Sequence, residues 1–408
     1  MIRFELKKVF VKPSSRIALL LLALLLGASC FLAIDGGYVI NEQGERDTGI
    51  RARRMVRDMQ KEWEGELTEE VLANVIAENA RINALPGYWG EDGWATNIGY
   101  SWKQGISHIC EMLCRAFGGF REYDFRRVDS LFPADAGQFY ERRILQLKEW
   151  LSGEAIDQFS DGEKEFLVRR YEELKTPLYY DYVDGWNRLF EYAPTVIMIT
   201  VMTLGFLAAG IFSGEFQLKA AAIFFSSLHG RGRASGAKLW AGLIMVTAIY
   251  WVMMLIYSAA VLVCVGADGA GCAIQLTGRG WKSFYNITIG QEYLLILFGG
   301  YLGALFMLLL VMLASAKARS AVLAVTIPFF LIFLPNLLAM VPDPLINKVC
   351  GLLPDQLLQM NMTVCYFNLY QIGGKVMGAV PILFVVYLAL AALLGPVIYQ
   401  VFRKAEAG

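Results

Sequence analysis

Charge is scarce in this sequence, and so are the residues on which most enzyme chemistry depends. Only 18% of its 408 residues are Asp, Glu, Lys or Arg, against about 25% in an ordinary soluble domain. Histidine occurs twice, as His108 and His229, which excludes multi-histidine metal sites and histidine proton relays. The seven cysteines include no Cys-x-x-Cys pair, so neither a zinc ribbon nor a thioredoxin-like site is indicated. No Gly-x-Ser-x-Gly elbow accompanies His108, so that route to a hydrolase is closed. The phosphate-binding pattern Gly-x-x-x-x-Gly-Lys-Ser/Thr is missing as well. Its nearest fragment, Gly373-Gly374-Lys375-Val376, lacks the first glycine and the hydroxyl residue. The chain is therefore not expected to hydrolyse ATP itself, and it carries no cofactor motif.

Apolar residues make up 56% of the chain, and they are gathered into runs. Of the 37 basic residues, 20 lie between Asp35 and Tyr192, and of the 37 acidic residues, 30 do. That stretch is thus about −10, which argues against nucleic acid as a partner there. Outside it lie six apolar runs, at residues 14–34, 194–212, 239–265, 293–314, 321–341 and 379–402. Each is long enough for a membrane-spanning helix, which needs about 17–25 residues. The expected fold is an all-α polytopic membrane protein with six transmembrane helices. A mainly helical extracytoplasmic domain, residues 35–192, lies between helices 1 and 2.

The first run has a competitor, a cleaved signal peptide, because basic residues precede it and Gly27-Ala28-Ser29-Cys30 hints at a lipoprotein site. Gly27 stands where a leucine-like residue is usual, and the run is long, so a retained helix is preferred. Before it, residues 1–13 read as an amphipathic interfacial helix. Ile2, Leu6, Val9 and Phe10 share a face, Arg3, Lys7, Lys8 and Lys12 lie off it, and Pro13 ends it. Within the polar domain, helical patterns cover residues 51–84, 106–117, 136–151 and 162–174. Cys110 and Cys114 fall on one helix face, where a disulfide would be strained, so two free thiols are expected. The aromatic segment from Thr176 to Trp186 is expected to rest on the outer headgroup layer.

Pro194 and Pro381 fall near helix starts, while Pro328 and Pro335 predict a kink or unwinding in the fifth helix. No run carries a charge at its middle, which counts against proton-driven transport. Glu292 sits at an outer helix end. Orientation follows from the basic residues flanking the runs: with the N-terminus inside, the inner segments hold 13 and the short outer loops four. Both termini are then cytoplasmic. In the outer loops Cys350 and Cys365 could pair in an oxidising exterior, but membrane-embedded free thiols are the preferred reading, and Asn286-Ile-Thr288 and Asn361-Met-Thr363 match the glycosylation sequon at a frequency chance explains.

The remaining polar break is the inner loop, residues 213–238. Glu215 follows the second helix, residues 217–225 can form a short surface helix, and Gly230, Arg231, Gly232 and Arg233 lead to Lys238. A topology-setting basic loop accounts for the arginines and lysines. It does not account for Glu215 or His229. The candidate site is therefore Glu215, His229, Arg231, Arg233 and Lys238.

At this point the chain resembles the permease subunits of ABC-2 type ATP-binding-cassette transporters, in the Gram-positive subgroup with a large outer domain. The residues that carry the likeness are the start FELKKVF, the segment FSGEFQLKAAAIFFSSLHGRGRASGAKLW, and Tyr182, Gly185 and Trp186. The resemblance implies an exporter half in the plasma membrane. It would pair with a second permease subunit, identical or different, and be driven by a separate cytosolic ATPase that binds the ATP. The candidate residues would then couple the two. The transported substrate is not legible. A membrane-anchored sensory or binding protein and a polytopic membrane enzyme are the rival readings.

Overall fold

A computed structural model gives the fold. It describes residues 1–404 apart from 42, 228, 229, 339 and 342, and excludes the side chains of 231, 336 and 344. Most of the chain is helical. Among the described residues, five helical stretches are long and apolar enough to cross a membrane: Pro13–Asp35, Asp184–Gln217, Gly232–Val265, Ile289–Ala318 and Ala379–Arg403. Helix α14 (Ala321–Leu338) is shorter as described, with an apolar stretch of Ala321–Pro335. Pro328 and Pro335 lie inside it, and although each removes one helical hydrogen bond the backbone stays helical through both, without the unwinding that was expected.

The chain opens with α1 (Ile2–Phe10) and turns into α2 (Pro13–Asp35) at Pro13, whose missing N–H costs nothing in a first turn. Helix α2 is apolar all round, yet its buried stripe is Leu22, Leu26, Ser29 and Ala33, spaced for one helix face. Leu20, Leu21, Leu24, Leu25 and Phe31 face outward, which suits lipid and not water. Helix α13 (Ile289–Ala318) is central and packs on α9 (Asp184–Ala208), α12 (Ser235–Val265), α14 and α18 (Ala379–Arg403). Close approach depends on glycine. A Cβ on Gly303 would meet Leu358 Cδ2 at 2.6 Å and Leu357 Cβ at 3.1 Å.

The polar stretch contains α3 (Gly49–Lys61), α4 (Glu69–Asn83), α5 (Asn97–Lys103), α6 (Ser107–Phe117), α7 (Phe139–Ser152) and α8 (Asp161–Glu172). The predicted helix over 51–84 is thus two helices. Thr68 starts the second by accepting a hydrogen bond from the Val71 amide, and the break holds Gly65–Glu66 (β3), paired with Tyr179–Tyr180 (β4). Two hairpins, β1–β2 (Tyr38–Ile40, Arg46–Thr48) and β5–β6 (Leu369–Ile372, Lys375–Gly378), are the other strand pairs among the described residues.

This polar part is not a separate body. It shares its core with the loops at 266–288 and 343–378. Arg143 is 3% exposed and donates to the Trp281 and Ser283 carbonyls at 3.1 and 2.9 Å, stacked over Tyr171. Phe120 and Trp150 of the polar part pack with Phe367 of the later loop. Asn286 and Asn361, the sequon residues, spend their amides inside on the Arg170 and Phe190 carbonyls. All seven cysteines are free thiols, Cys350 and Cys365 included. Glu292 lies in the first turn of its helix, as expected, and is 3% exposed.

The second spanning helix starts ten residues before its apolar run. Trp186, Leu189, Phe190 and Ala193 recur at helical spacing and are buried, so the helix begins at Asp184 and Pro194 lies inside it. For the same reason much of the segment before it turns to protein, although Tyr179 is exposed. Tyr180, Tyr182 and Trp186 are 0%, 1% and 5% exposed, and Trp186 donates to the Asp268 carbonyl. The Gly185 position leaves no room for a side chain, because the Gly266 carbonyl lies against it.

Two charged clasps tie this end together. Arg53 of α3 donates to the Ile34 carbonyl at 2.6 Å, at the end of α2, and to Asp184 at 2.6 Å, at the start of α9. A cation at one helix C-terminus and an acid at another N-terminus both satisfy the helix dipoles. Nearby, Arg57 and Lys61 hold Asp268 at 2.8 and 3.0 Å. Partial burial alone would raise the Asp268 carboxyl, but the hydrogen bonds from Arg57 and Lys61 outweigh it and hold it below its ordinary range. The stabilisation is present above the unfolded value, about 3.9, and is lost only as pH falls through the lower folded value. Trypsin cleavage after Arg57 and Lys61 should stay slow in the native protein at pH 7, and Asp268→Asn should speed it. Separately, Gly303→Val should cost about 1–3 kcal/mol by overpacking, read as a lower unfolding temperature in detergent, with Gly303→Ala costing less.

Candidate functional site

The candidate site lies at the end of the bundle that carries α1. Helix α9 passes at Ala209 into α10 (Gly210–Gln217), so Glu215 sits in the last turn of the second spanning stretch, not after it. The helix then stops at Lys219, which takes a left-handed conformation (φ 54°). A six-residue helix, α11 (Ala221–Ser226), follows in place of the longer one expected over 217–225. Gly230–Ala234 form a single wide π-helical turn, where Ser235 donates to the Gly230 carbonyl. A Cβ on Gly230 would collide with the Phe224 carbonyl, so glycine is required there.

Lys238, one turn into α12, is 1% exposed. Its ammonium makes three hydrogen bonds, each 2.9 Å long, to Glu5, to Glu215 and to the Ile211 carbonyl. Lys8 then bonds Glu215 at 3.0 Å and Glu5 at 3.1 Å. The four side chains form a closed ring of alternating sign: Glu5, Lys238, Glu215, Lys8. Burial works against the Lys8 ammonium, yet Glu215 and Glu5 raise its pKa above the ordinary value. Both acids are nearly enclosed, with side chains 12% and 11% exposed, while Lys8 is open to solvent on one side.

Beside the ring lies an aromatic cluster. Phe402, from the end of α18, packs against Phe212, Phe216, Phe224 and Phe225, and Lys238 sits 5.4 Å from the Phe224 ring centre. Ring and cluster together hold α11 against the bundle. What α11 and its approach turn outward is apolar: Leu218 is 80% and Ile223 77% exposed.

Of the five expected residues, the structure brings Glu215 and Lys238 into direct contact. Arg233 is on the exposed surface of the π turn. His229 and the side chain of Arg231 lie outside the described residues. Two residues that carry the site, Glu5 and Lys8, are absent from the sequence-based set. Helix α1 was expected as an interfacial helix with Lys8 off its apolar face, and in the structure Glu5 and Lys8 bond Lys238 and Glu215. The available signal was Glu5 itself, the one acid among five bases in the first 16 residues.

Chemically the ring is neutral and has no free nucleophile, and what it can do is hold three helices in register. Among the described residues, no group of three or more His, Cys, Asp or Glu could hold a metal ion. No protein-family model matches the chain, and no curated protein does.

Removing Lys238 leaves two buried acids against one lysine. Lys238→Met should destabilise the protein by about 3–5 kcal/mol, measured by thermal unfolding in detergent. Glu5→Gln should cost less, because Lys238 keeps Glu215, and it should expose the α1–α2 junction to protease.

Proposed function

We propose that this chain is the membrane permease subunit of an ABC-2 type transporter, and that the segment Gly210–Lys238 receives the stroke of a separate cytosolic ATPase. The observation that carries the reading is α11. It is a short helix braced by the phenylalanine cluster beside the ion ring, and with its approach turn it presents Leu218 and Ile223 outward at the end of the bundle. An exposed apolar pair on a braced support is the arrangement expected of a docking point. Force applied there passes to α10 and α12 through Glu215 and Lys238, and to α1 through Glu5.

In this reading α14 also spans, as the fifth of six helices, both termini are cytoplasmic, and the polar domain lies outside the plasma membrane. The basic residues at the α1 end support that orientation. The complex would contain two permease subunits and two ATPases, with ATP bound only on the latter, and it would export its substrate. Glu215 and Lys238 act as transmitting residues within the chain, not as surface contacts.

The test is purification of the tagged chain from its native membrane. An ATPase subunit with a phosphate-binding loop should come down with it, and Leu218→Glu with Ile223→Glu should remove that subunit while leaving the unfolding temperature unchanged. Lys238→Arg, which keeps the charge but not the point geometry, should retain the ATPase yet uncouple hydrolysis from transport. Recovery of the chain with no ATPase sinks the reading and favours a membrane-anchored binding protein.

A further inference from the structure

At the other end of the bundle, the polar domain contains a cavity of about 840 Å³, within the range of small-molecule sites. Its walls are aromatic. Tyr38, Trp89, Trp94, Tyr100 and Tyr123 line it, and each is 40–53% exposed. They come from four separate parts of the chain: the β1–β2 hairpin, the turn after α4, α5 and the segment after α6. Rings this large are left in water at a cost in hydrophobic free energy, and their convergence on one cavity is the mark of a binding surface.

The rings are held in place before any ligand arrives. Trp94 stacks on Phe125 with centroids 5.6 Å apart, and Arg126 lies 4.5 Å from the Trp94 ring. The Trp89 indole donates to the Asn83 carbonyl at 3.1 Å. Prior fixation of this kind removes much of the ordering cost of binding.

The polar lining is rich in acceptors. Asn79 is 1% exposed, donates to Asp129 at 3.0 Å, and leaves its own Oδ1 without a partner. A buried amide oxygen in that state costs free energy until something donates to it. His108 places Nε2 at 2.8 Å from the Leu276 carbonyl. A carbonyl only accepts, so the proton is on Nε2 and Nδ1 remains an acceptor. Burial lowers the His108 pKa, and the ring stays neutral.

The charges in the lining cancel. Arg46, Lys103 and Arg126 face Glu111, Asp129 and Asp184, and Lys103 pairs with Asp129 at 3.3 Å. The cations also sit on the aromatic faces: Arg46 over Tyr38 at 4.0 Å and Lys103 over Tyr88 at 4.7 Å. A cationic ligand would have to displace them. The matching ligand is neutral, carries many O–H donors, and has C–H faces to lay on the negative faces of indoles and phenols.

We propose that this cavity binds a neutral oligosaccharide, with hydroxyls donating to Asn79 and sugar faces resting on Trp89 and Trp94. The proposal rests on the cavity alone and stands or falls separately from the transporter reading. The test uses the full chain in detergent, titrated with cellotetraose, maltotetraose and chitotetraose, and followed by calorimetry and tryptophan fluorescence. At least one should bind saturably. Trp89→Ala and Trp94→Ala should each weaken it by about tenfold or more, and Trp94→Phe should keep most of the affinity. Gel filtration and the unfolding temperature identify any variant that fails to fold, and Asn79→Leu, which removes the acceptor but leaves the tryptophans in place, gives an independent readout by weakening binding. Three results overturn the proposal: no binding by any of the three sugars at millimolar concentration, sugar binding indifferent to both tryptophan substitutions, or saturable binding of tetralysine that excludes the sugars.

Discussion

One ammonium group, on Lys238, sets the arrangement of one whole end of this protein. Moving it out of water costs several kcal/mol, and only good geometry and full hydrogen bonding offset that. Here all three N–H donors are spent on Glu5, Glu215 and the Ile211 carbonyl. Those acceptors belong to α1, α10 and the first turn of α10, while the lysine belongs to α12. Parting α10 from α12 takes Lys238 away from Glu215 and from the Ile211 carbonyl, and lifting α1 away removes the Glu5 and Lys8 bonds that close the ring. The phenylalanine cluster supplies cohesion beside it, but cohesion is forgiving of small slips. Directional bonds to a buried cation are not, which is why register at this end belongs to the ring.

The opposite end is organised differently. Its polar helices do not form an appended module but interlock with the loops that return between spans. Arg143 satisfies backbone carbonyls of the 281–283 turn from within the domain, and Lys348 reaches back to Glu163 at 2.9 Å. The result is a cap whose stability depends on segments nearly two hundred residues apart in the chain. Removing residues 35–192 as a soluble fragment would uncover the surface that those loops now cover.

The spans were legible because length and apolarity are properties of a contiguous stretch. Runs at 14–34, 239–265 and 379–402 correspond closely to α2, α12 and α18. The start of α9 was not legible, because its first three turns mix Asp184, Asn187 and Arg188 with the apolar residues, and only tertiary burial reveals that these turns stay helical. The same limit applies to the tyrosines before it, whose composition suits a lipid interface equally well. Glu215 and Lys238 stood out because each interrupts apolar sequence. Glu5 and Lys8 did not, since charge in a basic amphipathic segment is unremarkable until the partner 233 residues away is known. The cavity aromatics are likewise spread over four elements, and no local pattern joins them.

Helix α2 joins these two ends, and both of its termini are pinned. At its start, α1 is fastened by the ion ring. At its finish, the Ile34 and Ala33 carbonyls are gripped by Arg53, which also holds Asp184. Between them runs a rod of about 34 Å, at 1.5 Å per residue, with most of its flank free of protein neighbours. Such a rod bends little along its axis. An axial pull on α1 is shared between the packing of α2 on α9 and α12 and the clasp at Arg53, which must either let go of α2 or carry Asp184, and the first turn of α9, along with it. The arginine is in effect a shear pin: its strength sets how large a displacement at one face can be before the two faces cease to move as one.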